Sequence, residues 1–336
     1  MKIILTSDLH CQDGIYVNIC IDYIDYLSRY AKKNGINRIA FLGDLLEKSN
    51  RIRYETFVPL FKKLQELKDE GFIMYFVVGN HDIYTLDGDT VVEIFSPFGE
   101  VIKTSKEFDF DGVKINMCAY TTDPCEVPTV DADYLFTHLP IDEFLFDNGM
   151  EIKEKHSFPI DFFSNYKKVF TGHYHKRQNK YNIEYIGSPY QLSFGEAGDT
   201  NKGFVVFEPS TGGEEFVKYD EAPVYIKMNY NDLVEEGFDP DEVKNSFVKI
   251  VIDKKIENFS KVRRALYKAG VIDIIPEYEQ VKVKSEKENE VRIEMNKSIK
   301  EMLTSFISTK EFYHIEEKLD NKKLVDYLQE IESELK

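Results

Sequence analysis

The chain has 336 residues, a formal net charge of −17, 42% hydrophobic and 14% aromatic side chains. That length holds one large domain plus a smaller one with a sizeable core, and the acidic balance weighs against tight nonspecific binding of nucleic acid by the chain alone. No apolar run approaches the roughly 18 residues of a membrane span, the N-terminus lacks the long apolar region of a signal peptide, and Cys11, Cys20, Cys118 and Cys125 lack the close spacing of a zinc knuckle or disulfide framework; a reducing cytoplasm is the expected setting.

In chain order, residues 2–7 read as a buried strand. Residues 15–33 carry Ile15, Ile19, Tyr23, Tyr26, Leu27 and Tyr30 at helical spacing, and Gly35 ends that helix. Residues 38–42 form a second strand, 54–69 a second amphipathic helix stopped near Gly71, and 72–78 a third strand. This β-α-β-α-β run predicts the parallel half of a sheet, with active groups at the carboxyl ends of its strands. Short strands and hairpins follow around 107–119, 133–137, 167–171, 180–187 and 203–219, with a turn at Gly212-Gly213. A mixed sheet or two packed sheets flanked by helices fits this order. Residues 224–275 read as a separate small α/β unit, 276–296 as a charged linker, and the chain from Ser298 onward as two short helices.

Five short segments punctuate the first 175 residues: Asp8-Leu-His10, Gly43-Asp44, Gly79-Asn80-His81-Asp82, His138, and Gly172-His173-Tyr174-His175. Most close a predicted strand, so they fall on loops at one sheet edge. Asp-x-His alone occurs by chance, and a single histidine is more often structural than ligating. All five in order, in that context, signal a site for a pair of divalent metals. Asp and His suit a borderline ion such as Mn²⁺, and a carboxylate can bridge two ions. Two metals about 3.5–4 Å apart clamp a phosphate and generate hydroxide for in-line attack. Asp44, the lone strong anion at its strand end, is the natural bridge. Asn80 offers a neutral oxygen, and His81 can stay free of metal and protonate the leaving oxygen. Asp82 orients a neighbour or caps a helix. His156 and His314 lie outside the pattern, Glu47 and Asp13 receive no chemistry, and no Gly-x-x-x-x-Gly-Lys-Ser/Thr loop for ATP is present.

These segments resemble the calcineurin-like metallophosphoesterase superfamily over about residues 1–220. The resemblance implies a mixed α/β sandwich flanked by helices. It implies a first metal held by Asp8, His10, Asp44 and His175, a second held by Asp44, Asn80, His138 and His173, and His81 as the acid. The segment from Tyr185-Ile-Gly-Ser-Pro-Tyr-Gln-Leu-Ser-Phe-Gly to Glu196, followed by Lys202-Gly203-Phe204, is similar to a stretch of SbcD-type recombination and repair nucleases. Gly-Asn-His-Asp and Gly-Asp-Leu-Leu-Glu-Lys differ from the protein-phosphatase pattern. Relatives often carry His at the place of Glu47, which leaves the choice between end resection and internal cutting open. The implied organisation is a nuclease domain at 1–222, a small α/β capping domain at 223–275, a linker at 276–296 and C-terminal helices at 297–336 that dock on a partner.

The expected cofactors are two divalent metals, with Mn²⁺ favoured. The expected partners are DNA, an SbcC-type coiled-coil ATPase and a second copy of the chain, with no membrane. For a phage protein the compartment would be the host cytoplasm. Candidate phosphate contacts are Lys48, Arg51 and Arg53 after the second segment, and Lys176, Arg177 and Lys180 after the fifth; ordinary solvated surface charge is the competing reading. Ile299, Leu303, Phe306, Leu324 and Leu328 form the candidate docking stripes, which could instead pack on the chain's own body. The competing functions are a stand-alone phosphodiesterase for nucleotides or small phosphoesters, and a scaffold with a vestigial metal site.

Overall fold

Strand β1 (Ile3–Thr6) is buried at every residue, and its side chains alternate between two cores. Helix α1 (Ile15–Lys33), strand β2 (Arg38–Leu42), helix α2 (Tyr54–Asp69), strand β3 (Ile73–Val77) and strand β4 (Gly99–Ile102) follow. In this computed structural model the described residues are 1–47, 52–85, 88–128, 132–146, 149–151, 156–252 and 259–278, all within the unit Met1–Gln280. β1 through β4 are mutually parallel, as the βαβ run requires. Helices α1 and α2 are found at their expected bounds. β4 was not foreseen. It sits at the sheet edge, begins on Gly99 and leaves Glu100 exposed, so it lacks the apolar run that marks its neighbours.

Then come β5 (Ser105–Phe110), β6 (Val113–Cys118), β7 (Tyr134–Thr137), β8 (Lys168–Thr171), β9 (Gln178–Lys180), β10 (Ile183–Tyr185), β11 (Gly203–Glu208) and β12 (Gly213–Lys218). The first sheet has order β12-β11-β1-β2-β3-β4, and the second β5-β6-β7-β8-β10-β9. Both are mixed, with antiparallel pairs toward their edges. β11 and β12 form the hairpin expected at Gly212-Gly213.

The period of two in each strand sorts its side chains between layers. Ile3, Leu5, Ala40, Leu42, Tyr75, Val77 and Phe207 face the second sheet and meet Ile115, Met117, Phe136 and Phe170. Ile4, Ile39, Phe41, Met74 and Phe76 face the other way, against Ile24 and Leu27 of α1 and Leu60 and Leu64 of α2. The outer face of the second sheet buries Leu135, Val169, Ile183 and Tyr185 under Phe144 and Phe163. The two large sheets therefore form a sandwich with α1 and α2 on one side, the mixed α/β architecture expected from the sequence.

The small unit is a third, all-parallel sheet of β13 (Val224–Asn229), β14 (Ser246–Ile252) and β15 (Asp273–Tyr278), with helices α3 (Tyr230–Glu235), α4 (Pro240–Val243) and α5 (Phe259–Lys268). It has its own core around Val248, Ile250 and Leu266. β15 runs to Tyr278, past residue 276 where the linker was expected to begin. The charge-rich composition from 276 had suggested a linker, but β15 is an edge strand paired to β14, where Pro276 and its missing N–H are tolerated. The rest of the expected linker and both C-terminal helices, with Ile299, Leu303, Phe306, Leu324 and Leu328, lie outside the described residues. No described helix is long and apolar enough to cross a membrane.

Candidate metal centre

The five segments lie together because they follow the carboxyl ends of β1, β2 and β3 in one sheet and β7 and β8 in the other. Their loops are tied to one another by backbone: Asp8 N–H donates to Gly43 O at 3.1 Å and His10 N–H to Asp44 O at 3.0 Å. Asp8, His10, Asp44 and His173 all have positive φ (55°, 45°, 50° and 98°). Such backbone costs of order 1–3 kcal/mol per residue and persists where the surroundings enforce it. The glycines before the ligands make room. A Cβ on Gly43, itself at φ 88°, would overlap the His138 ring. One on Gly172 would overlap Ser7 Oγ and crowd Leu42 O. Tyr190 holds the first loop from behind, its hydroxyl donating to Leu9 O at 2.5 Å.

Three sets of donor atoms converge, each set lying within 4.8 Å: Asp8, His10 and His175; His10, Asp44 and His81; and Asp44, His138 and His173. Asp44 belongs to two of them. Its Oδ2 is 3.2 Å from His138 Nε2 and 3.6 Å from His10 Nε2, while its Oδ1 accepts the His81 N–H at 2.9 Å. Asn80 Oδ1 lies 2.8 Å from His173 Nδ1 and 3.1 Å from His138 Nε2. His10 Nε2 and His175 Nε2 stand 3.1 Å apart. Two imidazole nitrogens this close can share one cation when both are unprotonated. Asp8, His10, Asp44 and His138 are buried, whereas Asn80, His81, His173 and His175 are half-buried at the open side. The donor set of imidazoles, carboxylates and one amide oxygen fits two divalent cations sharing Asp44.

The electrostatics follow from burial and pairing. Burial raises the Asp44 carboxyl, but the charge and hydrogen bond of His138, helped by His10 and His81, hold it below the usual carboxylate range. Burial lowers His138, yet Asp44 pushes it up to about 9. Burial, and then the neighbouring His138, bring His173 down to about 3. Asp82 rises to about 7, chiefly from burial and then from Asp44. Asp82 does not join a donor set among the described residues; it accepts the N–H groups of Gly79 at 2.9 Å and Leu46 at 3.2 Å, bracing the second and third loops as expected.

His81 Nδ1 is 2.8 Å from Glu47 O. A carbonyl only accepts, so Nδ1 carries the proton and Nε2 is left for chemistry. Three further residues back the site and were not read from the sequence. Glu47 Oε2 lies 2.8 Å from His10 Nδ1, and Glu196 Oε1 lies 3.3 Å from His175 Nδ1. Lys202 Nζ donates to Glu196 Oε2 at 2.6 Å, Ser188 Oγ at 2.9 Å and His175 O at 2.9 Å. The only available signal was that Glu196 and Lys202 fall in the segment singled out by resemblance. The same segment supports the small sheet, since Gln191 Oε1 accepts the Tyr225 N–H at 2.6 Å.

Three of the expected phosphate contacts, Arg53, Arg177 and Lys180, meet carboxylates of the chain. Arg53 Nε is 3.0 Å from Asp13. Arg177 donates to Glu184 at 2.6 Å and lies 4.2 Å over the Phe216 ring. Lys180 pairs with Glu143 at 2.5 Å. Lys176 is half-buried next to His175. Lys48 and Arg51 lie outside the described residues, and His156 is exposed.

The family pattern described as calcineurin-like phosphoesterase matches residues 1–177, more than half of the chain. The chain belongs to the calcineurin-like phosphoesterase family. This calcineurin-like phosphoesterase is accordingly a metal-dependent hydrolase, and the matched stretch contains every one of the five segments. Exonuclease subunit 1 of Enterobacteria phage T4 is 28% identical to it over 290 residues, covering 80% of this chain and 81% of the phage protein. Among solved structures, a dimetal phosphatase from Danio rerio is similar with a TM-score of 0.40 and 11% identity over 61% of this chain and 91% of that one. The Escherichia coli phosphoesterase YfcE gives a TM-score of 0.37 and 13% identity over 67% of this chain and 96% of its own.

Proposed function

We propose that this phosphoesterase is a Mn²⁺-dependent DNA exonuclease and endonuclease subunit that works with an SbcC-type coiled-coil ATPase in DNA end processing, recombination or repair. The observation that carries the two-metal reading is the position of Asp44, shared by two donor sets whose atoms lie within 4.8 Å. The choice of DNA rests on the likeness to a phage exonuclease subunit over 290 residues, a stretch longer than the family pattern itself. The abundance of imidazole favours Mn²⁺ over Mg²⁺, which prefers oxygen donors.

In this reading Asp8, His10, Asp44 and His175 hold one cation, and Asp44, Asn80, His138 and His173 hold the other. When bound, the cations supply positive charge for the phosphate and an acidified water. The chain does the rest. The Gly43 and Gly172 turns let the two sheets' loops approach, and Asp82 ties the second loop to the third within the first sheet. His81, held through Nδ1 by the Glu47 carbonyl, offers Nε2 to protonate the leaving oxygen. Lys176, Arg51, Arg53 and Arg177 lie near these loops in sequence and meet the DNA backbone. For Arg53 and Arg177 this exchanges a carboxylate partner for a phosphate. The segment with Ile299, Leu303, Phe306, Leu324 and Leu328, outside the described residues, docks on the ATPase, and two copies of the chain form the working dimer.

The test is a nuclease assay on labelled single- and double-stranded DNA with Mn²⁺ or Mg²⁺, with and without the ATPase and ATP. Mn²⁺ should support far higher rates. Replacing Leu303 and Phe306 by Asp in the full chain should spare Mn²⁺-dependent cutting of short single strands and abolish ATPase binding. Hydrolysis of nucleotides with no cutting of DNA would select the stand-alone phosphodiesterase instead.

A further inference from the structure

The two cation sites are backed differently on the side away from the cation. His138 turns its Nδ1 to a main-chain carbonyl, Leu42 O at 2.7 Å. That partner is neutral. His10 and His175 instead each face a carboxylate, Glu47 at 2.8 Å and Glu196 at 3.3 Å, and each presents Nε2 to the other ring. A carboxylate hydrogen-bonded behind an imidazole favours the tautomer with Nδ1 protonated and makes Nε2 a stronger donor; Glu196 and His175 have that hydrogen bond, while Glu47 acts on His10 by its charge at ion-pair distance.

Glu196 is itself over-determined. Its side chain is 1% exposed, and its second oxygen meets Lys202 Nζ and, at 3.3 Å, the Ser188 hydroxyl. Lys202 also grips the carbonyl of His175, so ring and backbone of one ligand are clamped by a single buried ion pair. Isolated charges this deep are costly, and a paired set held on every side is retained where geometry is at stake.

We propose that Glu196 and Glu47 are positioning residues that make the Asp8/His10/His175 site the tighter of the two cation sites, so that the sites fill in order, that one first. This rests on the two-cation reading above. The Glu196 carboxylate faces the site through His175, and the Glu47 carboxylate through His10.

The experiment is a titration of the chelator-treated full-length protein with Mn²⁺, reading free Mn²⁺ by electron paramagnetic resonance. The wild type should show two classes of site. Glu196→Gln, which keeps size and loses charge, should weaken the tighter class by about 10–100-fold and leave the weaker class in place. Glu47→Gln should act on the same class. In a His175→Ala background Glu196→Gln should add no further loss, because its effect passes through that ring; a merely structural glutamate would lower the melting temperature equally in both backgrounds and leave Mn²⁺ affinity unmoved. If Glu196→Gln fails to fold, the half-exposed Glu47→Gln decides alone. Unchanged affinities, loss confined to the weaker class, or two indistinguishable wild-type sites would overturn the proposal. A nuclease assay on the same preparation keeps the readings apart: two ordered Mn²⁺ classes with no DNA cutting removes the nuclease and leaves this inference standing.

Discussion

Asp44 and His138 belong to different sheets, yet the carboxylate Oδ2 and the imidazole Nε2 meet at 3.2 Å with both side chains buried. Asp44 follows β2 and His138 follows β7. The contact closes one end of the sandwich with a charged pair where a core would otherwise be apolar. Breaking a buried pair by removing one partner is destabilising, of order 3–5 kcal/mol when no cation replaces it. The site and the fold are therefore tied at this contact.

Asp44→Ala should lose cation pairing, because no other described residue belongs both to the set with His10 and to the set with His138 and His173. We expect hydrolysis to disappear and the metal-free protein to melt at lower temperature. Elemental analysis that found two tightly bound metals in the variant would contradict the assignment.

His81→Ala should keep both cations and lose rate. Its Nδ1 is occupied by the Glu47 carbonyl, which leaves one nitrogen for proton transfer. Removal of a positioned acid typically costs about 10²–10⁴-fold. Metal content and single-turnover rates measured on the same sample check this. Loss of metal would make His81 a ligand to the set it shares with His10 and Asp44.

Gly172→Ala should be among the more damaging single methyl additions in the chain. The added Cβ would strike Ser7 Oγ and lie 2.7 Å from His138 Nδ1. Overpacking of this kind costs about 1–3 kcal/mol, and here the displaced group is a candidate ligand. A lower denaturation midpoint together with weakened Mn²⁺ binding is expected; an unchanged midpoint would show that β1 and β8 can separate at little cost.

The four cysteines should divide sharply in reactivity. Cys11, Cys20 and Cys118 are buried and Cys125 is exposed, and all are free thiols. Burial pushes the Cys118 thiol up to about 12, and the hydrogen bond from Cys20, then burial, raise Cys11 well above its ordinary value. The thiolate is the reactive form. A colorimetric thiol reagent at pH 8 should therefore titrate one group in the folded protein and four after denaturation. Rapid reaction of three or more thiols in the folded state would mean that the α1 face opens readily.

Local patterns carried much of this molecule. The continuous apolar runs of β1, β2 and β3, the helical spacing of α1 and α2, and the glycines that stop each helix are properties of a few neighbouring residues, so they are readable without the fold. The five segments were readable for the same reason: each is a short run at a strand end, and a parallel arrangement brings such ends to one edge. β4 and the last residues of β15 were not readable, because an edge strand is stabilised by pairing with its neighbour more than by its own apolar run. What only the tertiary structure decided is which side chains meet across long separations. Glu196 reaches His175 over 21 residues, and Asp8 accepts the His173 N–H over 165. Glu47, an unassigned departure in the sequence, proves to stand behind His10, while Arg53 and Arg177, read as candidate phosphate contacts, face Asp13 and Glu184. The periodicity of a strand says which face a residue occupies; only the register between sheets says which charge it will find there, since that register is set by the packing of the whole sandwich.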